Sequence, residues 1–252
     1  PSTLPGARWQ GAAVMPDLPP GVTVVGVLDP VTAVPAFEVA NMQFGGRVTL
    51  DLEVGGGADA SVMAYRGFRH LPTVTAELEP TGVPGQFLLR PSLGYDRVTV
   101  LGTDFSVVLG SYVLRGEAAY TFSADPGGTE PAVGNDAFAA VLGAETNLAG
   151  GPFVTLQVAY QRTAPDAGKA PDESLTTVLA AKFEQGQRLG LDVAWLHDWL
   201  DGGGAVRPRL TYAFADGLTG TAGATVLYGP AGSMYGAWKD NSELRLGLEF
   251  AF

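Results

Sequence analysis

The stretch ELRLGLEFAF, residues 243–252, decides the fold class. Leu244, Leu246, Leu248, Phe250 and Phe252 occupy one set of alternate positions. Glu243, Arg245, Gly247, Glu249 and Ala251 occupy the other. Successive side chains of a β-strand point to opposite faces, so a strand gathers every charge here on one side, whereas a helix scatters them round its circumference. The pattern recurs upstream. Phe44, Val48, Leu50, Leu52 and Val54 oppose Arg47, Thr49, Asp51 and Glu53. Leu114, Ala118, Tyr120 and Phe122 oppose Arg115, Glu117 and Thr121. Val154, Leu156, Val158 and Tyr160 oppose Thr155, Gln157 and Gln161, and the same alternation marks Arg188–Trp195 and Arg209–Phe214.

Eleven strands are expected from residue 43 on, over 43–54, 59–68, 97–109, 112–123, 137–148, 152–163, 174–185, 188–200, 205–215, 218–228 and 243–252. Most are 10 to 13 residues long. That exceeds the roughly 5–6 of an ordinary globular strand and meets the about 9–11 that a tilted strand needs to cross a bilayer. The connections alternate. Short turns follow the first, third, fifth, seventh and ninth strands: GGGA at 55–58, Ser111, AGG at 149–151, Gln185–Gln187 and Asp216-Gly217. Long segments follow the second, fourth, sixth and tenth: 69–96, 124–136, 164–173 and 229–242. DGGG at 201–204 is the one short exception. Tight turns at one end and long loops at the other is the layout of an outer-membrane barrel.

Composition narrows the field from the other side. The chain of 252 residues carries 15 Lys+Arg against 26 Asp+Glu, a formal charge of −11 that lacks the basic footprint of a nucleic-acid binder. It has no cysteine, hence no disulfide framework, thiolate metal site or catalytic thiol. Charged residues make up 16% and hydrophobic ones 46%, leaving a Gly-rich soluble β protein or a membrane barrel. The longest apolar run, Val22–Leu28, is far short of the about 20 residues of a spanning helix. The chain opens on Pro1 with no signal segment, which reads as a mature, processed or truncated product.

The expected fold is all-β: a transmembrane antiparallel up-and-down β-barrel of about twelve strands. Residues 43–252 form the wall. Residues 1–42 are either a Pro-rich extracellular loop or the region of a first strand at Val22–Leu28. Parity motivates the choice, because the strand at 43–54 and the last strand both descend, and a bacterial barrel normally has an even strand number. The prolines at 1, 5, 16, 19, 20, 30 and 35 favour the loop, with its pairing partner upstream.

An Arg or Lys facing lipid at midplane costs about 2–4 kcal/mol, so the apolar faces are outer and the charged faces line the lumen. Candidate lining and selectivity residues are Arg47, Asp51, Asp104, Arg115, Glu117, Glu145, Arg188, Asp192, Arg209 and Arg245. Opposed charges across strands point either to a selectivity constriction or to cross-strand ion pairs that stabilise the wall. Tyr120, Tyr160, Trp195, Trp199, Tyr212 and Phe214 sit toward strand ends, where membrane-interface aromatics belong. Asp51 and Glu53, with loop acids Asp125, Glu130 and Asp136, offer hard oxygen ligands. No Asp-rich loop has the spacing of a metal site, and solvated charge is the expected role. His70 and His197 are the only imidazoles, and no Gly-x-Ser-x-Gly elbow accompanies them. No catalytic residue, metal or cofactor is expected.

Three further stretches carry a resemblance: FEVANMQFGGRV at 37–48 with YRGFRHLP at 65–72, LGTDFSVVLGSYVLRGEAAYTF at 101–122, and AAVLGAETNLAGGPFVTLQVAYQR at 139–162. They are similar to a large, uncharacterised family of Gram-negative outer-membrane β-barrels, porin-like and known mainly as a domain of unknown function. The end of the chain, with Leu246, Leu248, Phe250 and Phe252, resembles the C-terminal signal read by the barrel-assembly machinery. Members are usually longer, so the resemblance implies the C-terminal portion of a larger barrel. It also implies passage of hydrophobic compounds, since some members are encoded with periplasmic lipid-handling lipoproteins and inner-membrane exporters. The expected partners are outer-membrane lipid, the assembly machinery and a periplasmic or surface protein, with no nucleic acid. A passive channel is the first functional expectation, a scaffold or sheath in an envelope complex the second, and an outer-membrane hydrolase the third.

Overall fold

The computed structural model describes residues 21–70, 72–130, 133–148, 151–186 and 188–251. Residues 1–20, which hold five of the seven prolines of the 1–42 segment, and Phe252, expected as the end of an assembly signal, lie outside them. The strands are β1 (Thr23–Val27), β2 (Val31–Thr32), β3 (Phe44–Leu52), β4 (Ala58–Phe68), β5 (Thr73–Pro80), β6 (Gln86–Gly94), β7 (Arg97–Leu109), β8 (Tyr112–Phe122), β9 (Ala137–Asn147), β10 (Phe153–Thr163), β11 (Asp172–Gln185), β12 (Leu189–Asp198), β13 (Gly204–Ala215), β14 (Leu218–Tyr228) and β15 (Glu243–Phe250).

Eleven of them, β3, β4 and β7–β15, form one antiparallel up-and-down sheet in which each strand pairs with its neighbours in chain order. These are the eleven strands that alternation predicts, with ends shifted by a few residues. The detour lies between β4 and β7. The segment 69–96, expected as a loop, folds into the hairpin β5–β6, and β1 and β2 pair with β6 in parallel. Val22–Leu28 therefore makes a strand, but in this second, four-stranded sheet; it adds no twelfth strand to the long one. The parallel pairing stops at Leu89 and resumes at Ser92, so Pro91, which has no N–H to give, falls in the gap.

Directly opposed residues of an antiparallel ladder share a face, and the registers carry one face unbroken from β3 to β15. Leu50, Ala60, Phe105, Gly116 and Leu142 succeed one another on the apolar side. That side is uncovered. Leu50 is 61% exposed, Val62 60%, Leu142 61% and Leu246 77%, while Val98 and Ala205 are the only buried hydrophobic residues among those described. Its four charges, Arg66, Arg97, Arg162 and Glu173, all lie near strand ends on the side of the long connections.

The long connections are tied down. Asn135 Nδ2 donates to the Ala164 carbonyl at 3.0 Å and to Asp166 Oδ1 at 2.9 Å, and Arg69 donates to the carbonyl of Gly134 at 2.8 Å. Asp125 accepts from the Glu130 N–H at 2.6 Å and the Thr129 hydroxyl at 3.0 Å. Those donors, the Glu130 amide foremost, hold its carboxyl below the usual aspartate value.

Candidate functional site

The opposite face of the long sheet gathers nearly all of its charged residues, interspersed with apolar ones such as Met63, Val100, Val141 and Val178. Of the expected lining residues, Arg47 and Asp51 lie on β3, Asp104 on β7, Arg115 and Glu117 on β8, Glu145 on β9, Asp192 on β12, Arg209 on β13 and Arg245 on β15, all on this one face by register. Arg188 sits in the turn ahead of β12, its carbonyl accepting from the Ala213 N–H at 2.8 Å. Glu53 falls beyond the end of β3.

On this face over β3–β9 both arginines, Arg47 and Arg115, are bound to carboxylates. Arg47 donates from Nη2 to Asp104 Oδ1 at 2.8 Å and from Nε to Ser61 Oγ at 2.9 Å, while the Ser61 hydroxyl, itself buried, donates to the other Asp104 oxygen. The triad spans three strands. Arg115 reaches diagonally to Glu145 at 2.9 Å. Exposed pairs of this kind contribute about 0–1 kcal/mol each, so their effect is to orient the side chains and neutralise the wall locally. Asp51 directly opposes Asp59 on the same face.

Over β10–β15 the register builds a different surface. Lys182, Asp192, Arg209, Gly223 and Arg245 stand in one row across five strands, each opposite the next. Arg207 projects from the same face two residues before Arg209. The row floors a groove of about 620 Å³ whose lining carries four cations, Lys182, Arg207, Arg209 and Arg245, against one carboxylate, Asp192. Arg207 was not among the expected lining residues, although its parity with Arg209 marks it. The ladder between β13 and β14 skips Arg207 and Pro208, where proline has no N–H to contribute.

The expected interface aromatics divide between the two ends of the apolar face. Tyr120, Tyr160 and Trp195, with Trp199 just past β12, are at the long-connection end; Tyr212 and Phe214 are at the short-turn end. Trp195 Nε1 donates to Tyr228 Oη at 2.8 Å, and His197 stacks on both Trp195 and Tyr228 at centroid distances of 5.7 and 5.8 Å. Trp199 meets the His197 ring edge-on and donates to Thr177 Oγ1 at 2.9 Å. Gly204 makes room for this cluster, since a Cβ there would lie 2.5 Å from Tyr228 Oη. His197 thus has its Nδ1 3.1 Å from Tyr228 Oη and its ring among aromatics. His70 is exposed beside Phe68 and Tyr95. Neither histidine hydrogen-bonds a serine among the described residues.

Of the acids weighed as cation ligands, Asp125 is engaged within its own loop, as above. Asp136 accepts from Tyr120 Oη at 3.0 Å and the Ser123 N–H at 2.7 Å. Leu246, Leu248 and Phe250, expected as part of an assembly signal, lie on the apolar face, 77%, 73% and 65% exposed. No family model matches the chain, and no curated protein matches it in sequence.

Proposed function

We propose that the long sheet is the wall of an outer-membrane β-barrel, a member of the porin-like family that its sequence resembles, and that it passes small molecules passively along its polar face. One observation carries this reading: a continuous apolar face is left bare while the opposite face holds the charged residues of the sheet, several of them ion-paired. Each large apolar side chain kept in water forgoes roughly 1.5–3 kcal/mol. Half a dozen of them rival the about 5–15 kcal/mol of net stability of a typical domain. Lipid contact removes that penalty, and the charges of the apolar face lie near one rim, as a hydrocarbon band requires. Aromatic residues at both ends of the same face fit two interfacial girdles.

The second reading, a sheath or scaffold within a larger envelope assembly, draws on the strand order. β3 and β15 stand at its two ends and run in the same direction. Antiparallel closure therefore calls for an odd number of further strands, and a partner occupying the interior would seal the wall. Planar-bilayer recording of the folded protein separates the two. Stepwise conductance is expected for the channel. A folded, inserted protein that carries no current above the lipid baseline would sink the channel reading in favour of the sheath.

A further inference from the structure

We propose that the groove across β10–β15 is a binding site for small soluble oxyanions, phosphates or carboxylates, with Arg207 and Arg209 as its primary ligands. The inference deepens the passage reading and rests on the polar face being wet.

The argument begins with a contrast among arginines. Arg47 and Arg115 are each held by a carboxylate at 2.8 and 2.9 Å. In the groove, Lys182 is held by Glu184 at 2.8 Å and Arg245 is paired with Glu243. Arg207 and Arg209 have no hydrogen bond or ion pair to any of the described residues, and both are exposed into the groove. They sit two residues apart on one face of β13, roughly 7 Å along the strand, a spacing that two arginine side chains can bridge to one ligand, and both line the same groove. A guanidinium presents a planar fork of N–H donors that matches the two oxygens of a carboxylate or phosphate. Two such forks with no protein acceptor, backed by two further cations, make a surface suited to receive an oxyanion. Thr155, Thr221 and Thr225 add hydroxyl donors at its edge.

Size and charge limit the ligand. The groove of about 620 Å³ lies within the roughly 300–1,000 Å³ of small-molecule sites. The chain's charge of −11 works against long-range attraction of a polyanion, so the positive potential is local. Asp192 refines the selection. It opposes both Lys182 and Arg209 in register yet hydrogen-bonds to neither. A carboxylate in that position repels an anion seated on Arg209, which makes Asp192 a weakening element and gives its removal a distinctive sign.

Inorganic phosphate titrated onto the folded protein in detergent micelles at low salt, followed by calorimetry, tests this. Saturable binding is expected, weakened at least about tenfold in the double variant Arg207→Gln/Arg209→Gln and strengthened in Asp192→Asn. The second variant guards against a folding artefact, since a damaged protein does not bind more tightly. Binding that is absent, or unchanged in all variants, overturns the proposal. Bilayer recording of the same samples keeps the two readings apart. Conductance without phosphate binding removes the groove and leaves the passage. Phosphate binding that follows the variants without conductance removes the passage and leaves the groove.

Discussion

Arg47 and Arg209 are indistinguishable by alternation, since each is the basic residue of a strand whose other face is apolar. Parity reads the face of both correctly and says nothing about their partners. Arg47 finds Asp104 across an intervening strand only because the 69–96 segment folds away and lets β4 pair β7. Arg209 comes to stand in one row with Lys182 and Arg245 because the registers from β11 to β15 set each opposite the next, through Asp192 and Gly223. Which face a charge takes was therefore legible, while which charge it meets depends on turn lengths and register. The face assignment is testable at adjacent positions of β11. Leu179 is on the apolar face and 42% exposed, and Ala180 lines the groove. Leu179→Arg is expected to lower folded stability in lipid vesicles by about 2–4 kcal/mol, with Ala180→Arg close to neutral. Equal effects in urea titrations would count against a lipid-facing apolar side.

Strand positions were readable because each wall strand alternates over ten or so residues, a signal that survives one misplaced side chain. The β5–β6 hairpin was not, because Gln86–Gly94 has Pro91 in its middle and pairs along its second edge with two short, distant segments. A proline in a strand interior argues against a central strand unless the neighbouring pairing is interrupted at that point, and only the fold reveals the interruption. Gly204 shows a second kind of hidden constraint. In sequence, DGGG reads as a turn; in the structure its last glycine begins β13 and leaves space for the Tyr228 ring that bonds Trp195. Gly204→Val places a Cβ 2.3 Å from the Leu196 carbonyl as well as against Tyr228. The variant is expected to lose about 1–3 kcal/mol by overpacking, with a shift in tryptophan emission as Trp195 is released. An unchanged unfolding midpoint and spectrum would show that the aromatic cluster contributes nothing at this rim.

Across the whole molecule the two ends of the long sheet are unlike. One carries tight connections, the shortest being Gly110-Ser111 and Asp216-Gly217. The other carries the second sheet, the segments 123–136 and 164–171, and the 229–242 segment with its short 3-10 helix at Gly236–Asn241. Asp125, Asp166, Lys169 and Asp201 all belong to that heavier end, and hydrogen bonds between its segments, Asn135 to Asp166 and the Met234 N–H to Asp201, hold it together. On the membrane reading, this asymmetry sets a direction of travel. Charged groups are costly to bring through hydrocarbon, several kcal/mol each by most measures, so unaided insertion into a vesicle leads with the light end and leaves the heavy one behind. The Lys169–Ala170 bond, with a Lys169 side chain 69% exposed, is then expected to be cut by trypsin added outside; full protection there would reverse the direction. A cell that needs the heavy end outermost must send it through first, against this preference. The polarity of the loops thus makes insertion from the inner side a driven process, and hands the choice of orientation to whatever catalyses it.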